Sequence, residues 1–112
     1  EKIQHKAALV GFDWDNIGDV CRKVEEEYKE LLDECKSRNI KYIKEELGDL
    51  LFSIVNLARF LKVDPEEALN ITNDKFIKRF DFVEQSAIKL NKRLEDMTLE
   101  EMDELWEQAK FQ

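Results

Sequence analysis

Apolar residues recur along most of this chain at intervals of three and four, the spacing that lines one face of an α-helix. Ile17, Val20, Cys21, Val24, Tyr28, Leu31, Leu32 and Cys35 form one such stripe. The segment KEELGDLLFSIVNLARFL, Lys44 to Leu61, is more broadly apolar and predicts the innermost helix of a bundle, running from about Ile40 to Leu61. Start and stop signals divide the rest. A short helix reaches about Val10 and stops at Gly11; the loop GFDWDN follows, and Asp15 or Asn16 can cap a second helix extending to Ser37 or Arg38. In DPEE, Asp64 is placed as N-cap, Pro65 as first helical residue and Glu67 as the capping-box acid, opening a helix that runs to about Leu90. TLEE repeats the logic with Thr98 and Glu101, opening a last helix that carries Met102, Leu105 and Trp106.

Composition agrees with this pattern. The 112 residues are 43% hydrophobic and 39% charged, with three Gly and one Pro, which fits an all-α helical bundle of four to five helices. No repeat or long linker divides the chain, so residues 1–112 are expected to form a single domain. A formal net charge of −8 excludes a broad attraction to a nucleic-acid polymer or an anionic membrane, which needs a basic footprint. No apolar run approaches the roughly 20 residues that span a bilayer, and nothing resembles a signal peptide, so a cytoplasmic home is expected. Cys21 and Cys35 share the stripe of one helix, about 21 Å apart, and cannot bridge within it. They are expected to be buried structural thiols.

The acids change the picture. Glu27, Glu30 and Glu34 flank the second helix's stripe, and by themselves they read as a solvated face. In the third helix, however, Glu46 falls between Leu50, Ser53 and Leu57, with Asp49 one turn further on. A carboxylate held near a core is costly unless a cation or donors compensate it. Two antiparallel helices joined tightly at Asn39 would bring Glu27 and Glu30 level with Glu46 and Asp49, with Gly48 permitting close approach of a helix or ligand. Four acidic oxygen donors without His or thiolate make a hard site suited to Mg²⁺ or Mn²⁺. The Glu-x-x-His motifs of di-iron bundles are absent; the one histidine is His5.

Further along, Lys75 and Arg79 share an edge of the fourth helix and are placed either to hold phosphate oxygens or to be solvated cations. Asn73 falls near that helix's apolar face, where an amide needs a partner. Phe12 and Trp14 of the loop, and Trp106 of the last helix, can stack on a nucleobase or close the ends of a small core.

Taken together, Glu26-Glu27-x-x-Glu30 followed by Glu46-x-x-Asp49 resembles the signature of the all-α nucleotide pyrophosphohydrolases of the MazG type. GFDW at Gly11 to Trp14, ELGDLLFSIVNLAR at Glu46 to Arg59, NDKFIKRF at Asn73 to Phe80 and TLEEMDELW at Thr98 to Trp106 look like MazG stretches in the family's order. They resemble the C-terminal, catalytically competent half of two-domain MazG proteins; the preceding half is not in this sequence, which begins at Glu1 without a methionine, as a portion of a longer chain would. The resemblance implies Mg²⁺-dependent hydrolysis of ribo- or deoxynucleoside triphosphates to monophosphate and pyrophosphate by a homodimer whose helices complete a shared bundle. It implies Glu27, Glu30, Glu46 and Asp49 as metal ligands, Lys75 and Arg79 on phosphates, and Asn73, Trp106 and Trp14 in the nucleotide pocket. Water would attack the α-phosphorus, positioned or deprotonated by Glu26 or by a ligating acid such as Glu27 or Glu46. Two alternatives stand beside this reading: a catalytically silent helical interaction module, and a base-specific dUTP or dCTP hydrolase on the same bundle. With no base-reading set beyond Asn73, broad base tolerance is the expectation.

Overall fold

The computed structural model describes residues 1–112 and is all-α: α1 (Lys2–Leu9), α2 (Ile17–Cys35), α3 (Ile40–Phe60), α4 (Pro65–Lys89) and α5 (Leu99–Ala109), with a 3-10 turn at Leu94–Asp96 before α5. Boundaries fall close to those expected because the terminal signals act locally. Asn16 accepts from the Asp19 amide at the start of α2, Asn39 accepts from the Lys41 amide at the start of α3, and Thr98 with Glu101 completes a capping box on α5. Stops depend on residues in the left-handed region. Gly11 (φ 87°), Lys62 (φ 58°) and Asn91 (φ 55°) end α1, α3 and α4. After each, the next amide reaches back to close the helix, from Phe12 to the Ala7 carbonyl, Val63 to Ala58 and Lys92 to Ala87. Two of these stops use residues other than glycine, and only the first was visible as a breaker in the sequence.

The chain forms two compact units, Glu1–Pro65 and Glu66–Gln112. In the second, Val83 and Ala87 of α4 meet Met97 and Leu105 in a small apolar core, flanked by Leu94, Met102 and Trp106. Phe76 packs against both Phe80 and Trp106, with ring centroids 6.1 and 5.1 Å apart respectively.

The first unit is an α-hairpin with α1 laid against it. The Lys36–Asn39 link, with Arg38 in the left-handed region (φ 57°), is too short for anything but antiparallel neighbours, and α2 and α3 form the main helix pair. Its interior is unusual. Val20 is the one large apolar side chain it fully buries; the other buried residues are Gln4, Glu27, Ser53 and Asn56. Meanwhile Tyr28 and Leu32 of α2, and Leu47, Leu51 and Ile54 of α3, stay exposed at helical spacing. Cys21 and Cys35 are exposed as well. The expectation of buried thiols fails for the single chain because they lie on the side of the stripe that Tyr28 and Leu32 share, which is uncovered, while Val20 on its other side is buried. Gly48 likewise meets nothing: a Cβ built there would have open space around it.

Candidate metal centre

The hairpin register decides which acids meet. Glu27 lies about as far before the Lys36–Asn39 turn as Asp49 lies after it, and Glu46 and Asp49, three apart, share a face of α3. One carboxylate oxygen from each of Glu27, Glu46 and Asp49 lies within 4.8 Å of the other two. That spread is close to the roughly 3–4 Å between neighbouring and opposite ligands of one Mg²⁺, and small side-chain rotations cover the difference. Glu30, expected as a fourth ligand, is exposed and outside this trio, yet near enough to act on Glu46 by charge. Glu26 points to solvent and lies 3.7 Å from Lys23. Glu45 is ordinary surface.

Two observations bear on whether a cation fits the trio. Glu27 Oε2 and Glu46 Oε2 are buried without a hydrogen-bond partner, a costly state for a carboxylate. The Glu46 carboxyl is pushed above the usual range, first by desolvation and then by the charges of Glu30, Asp49, Glu27 and Glu34. A hard divalent cation would satisfy both oxygens and fits this donor set. The sequence reading missed Lys23, one turn before Glu27. Its ammonium lies 3.0 Å from Glu27 Oε1, and Glu27, ahead of Glu26 and Glu30, raises its pKa. The i,i+4 spacing was the available signal.

A pH prediction follows from Glu46. Because its folded pKa is raised, the stability it contributes is complete below the unfolded value and is lost as pH rises through the folded one. Metal-free protein should therefore lose melting temperature as pH climbs from about 4, and saturating Mg²⁺ should abolish that loss. Melts in EDTA and in Mg²⁺ across pH check it; identical profiles would detach Glu46 from the metal.

The same unit holds a cavity of about 500 Å³, lined by Ile3 and Gln4 of α1, Phe12 and Trp14 of the loop, and Phe52 and Asn56 of α3. Gln4 Nε2 donates to the Phe52 carbonyl (2.8 Å). Arg59 donates to Asn56 Oδ1 and, at 2.6 Å, to Asp13 Oδ1. This guanidinium holds the Asp13 carboxyl below the usual carboxylate range. None of Gln4, Asp13, Asn56 and Arg59 was singled out from the sequence.

In the second unit, the Arg79 guanidinium lies over the Trp106 ring, 5.9 Å from its centroid, and Trp106 is half-buried. Lys75 is exposed, and so is Asn73.

Residues 17–83 match the MazG nucleotide pyrophosphohydrolase domain. The chain belongs to the MazG family. The match takes in all of α2 and α3, and so the whole acidic trio. Over 109 residues the MazG chain is 48% identical to the nucleoside triphosphate pyrophosphohydrolase/pyrophosphatase MazG of Thermotoga maritima, covering 97% of this chain and 42% of that protein. It is 43% identical over 114 residues to the nucleoside triphosphate pyrophosphohydrolase of Escherichia coli K12, covering 43% of that protein. A 68-residue stretch is 54% identical to YabN of Bacillus subtilis. The MazG chain thus spans less than half the length of these curated relatives. No helix is long and apolar enough to cross a membrane.

Proposed function

We propose that this MazG chain hydrolyses ribo- and deoxynucleoside triphosphates, with broad base tolerance, to the monophosphate and pyrophosphate in the cytoplasm. The observation that carries the reading is the trio of Glu27, Glu46 and Asp49, two of whose carboxylate oxygens are buried and unpartnered. Glu27, Glu46 and Asp49 would hold Mg²⁺, or Mn²⁺ in its place, with Glu30 completing the set. Bound there, the cation supplies neutralisation of triphosphate charge and acidification of water. Lys75 and Arg79 take phosphate oxygens, Arg79 through a planar fork that suits them. Glu26, or one of the ligating acids, accepts the proton of the water that attacks the α-phosphorus. Pyrophosphate is the leaving group.

The cavity supports a place for the base. Phe12, Trp14 and Phe52 offer ring faces for stacking, and Gln4 and Asn56 offer amides. Asn73 and Trp106 belong to the nucleotide pocket on the family's pattern. A second copy of the chain is the partner that the bare hairpin calls for. Its exposed stripes, Tyr28 and Leu32 beside Leu47, Leu51 and Ile54, have the spacing of a helix-bundle seam. A two-fold pair of hairpins would give the first unit the apolar interior it lacks.

Product analysis tests the reading. Incubation with each common NTP and dNTP in Mg²⁺ should yield monophosphate and pyrophosphate, and EDTA should stop it. Diphosphate plus orthophosphate would mean different chemistry, and a strong preference for dUTP or dCTP would replace broad tolerance with the base-specific reading.

A further inference from the structure

We propose that Arg59 is a positioning residue that makes the cavity able to tell a nucleobase from empty space. This rests on assigning the cavity to the base. Arg59 sits in the last turn of α3 with a side chain only 15% exposed, and it ties together two parts of the wall, the loop and α3. Its Nη2 donates to Asp13 Oδ1 at 2.6 Å, and the same oxygen accepts from the backbone amide of Trp14 at 2.8 Å. Arg59 therefore fixes, through one carboxylate oxygen, the loop residue whose indole lines the cavity. Its Nε and Nη2 also donate to Asn56 Oδ1, at 3.2 and 2.7 Å.

The second tie sets hydrogen-bond polarity. A guanidinium can only donate, so Asn56 must turn its oxygen to Arg59, which leaves Nδ2 as a donor without a partner on a residue that is only 7% exposed and lines the cavity. Across the wall, Gln4 is fixed the opposite way. Its Nε2 is spent on the Phe52 carbonyl, and its Oε1 is enclosed and unpartnered. Gln4 Oε1 is thereby shut away from a ligand, so the cavity carries one unspent donor, Asn56 Nδ2, among ring faces. Every common base has a hydrogen-bond acceptor on its edge, so this donor recognises a base as a class without choosing among them. The guanidinium itself is braced on the Phe60 ring, 4.8 Å from its centroid.

The test compares ATP with ribose 5-triphosphate, which carries the same phosphates and no base, using the whole chain in Mg²⁺. Wild-type protein should favour ATP in kcat/KM, chiefly through KM. In Arg59→Gln that advantage should shrink by about tenfold or more, the scale of losing hydrogen bonds to a charged group, while the Mg²⁺-induced rise in melting temperature persists. Arg59→Lys, with one ammonium in place of the fork, should recover only part of the advantage. Should Arg59→Gln fail to fold, Asp13→Asn, which weakens only the loop tie, is read by the same ratio. A variant that keeps the full ATP advantage would overturn the role of Arg59 and leave the base cavity standing. A wild-type protein indifferent to the base would overturn the cavity's assignment, and Arg59's role with it.

Discussion

Glu46→Gln is expected to abolish Mg²⁺-dependent turnover, by on the order of 10³-fold or more, and at the same time to stabilise the metal-free protein. The opposite signs come from one cause. Without a cation, Glu46 Oε2 is buried and unpartnered, and its charge faces those of Glu30, Asp49, Glu27 and Glu34. Glutamine removes that repulsion while keeping the shape, so the melting temperature in EDTA should rise. With Mg²⁺ present, the same change deletes a ligand, so the stabilisation by metal should shrink. Circular dichroism should show unchanged helix content. A variant that loses activity together with its EDTA-state stability would point to a structural role instead.

The second large effect is expected at Leu51, 55% exposed in the middle of α3. If two hairpins share their apolar stripes, Leu51→Glu buries an unpaired charge twice in a two-fold assembly. At about 2 kcal/mol or more per copy, the dimer should weaken on the order of 10³-fold. Sedimentation velocity should find wild-type dimer at micromolar concentration and Leu51→Glu as monomer with reduced helicity, because the hairpin has little apolar interior of its own. Cys21 and Cys35 report independently: they lie on the same side-chain stripe and should react slowly with a thiol reagent in the wild type and quickly in Leu51→Glu. A wild-type chain that is monomeric at all concentrations would refute the shared bundle.

How much of this was legible beforehand depended on the range of the interaction. The helices were legible because Asn16, Asn39 and Thr98 act within three residues of themselves, and the apolar periodicity needs only one turn of context. The acidic trio was legible because a four-residue link forces antiparallel packing, so counting from the turn pairs α2 with α3. The same count puts Glu30 one turn from Glu27, and in the single chain its carboxylate stays exposed, acting on Glu46 by charge from outside the trio. Apart from Phe12 and Trp14, the cavity wall was not legible. Arg59 meets Asp13 46 residues away, and Gln4 meets Phe52 48 residues away. No periodicity encodes such contacts, which depend on where α1 lies against the hairpin. The thiols were misjudged for a related reason: the stripe pattern says that a face is to be covered, and not by which chain.

If the acidic trio serves hydrolysis at the α-phosphorus, a single reaction in ¹⁸O-labelled water with Mg²⁺ and ATP, its products resolved by mass spectrometry, should put the label in the monophosphate and none in the pyrophosphate, with no labelled product from Glu46→Gln or in EDTA. Label in the pyrophosphate would place the attack at the β-phosphorus and contradict that reading.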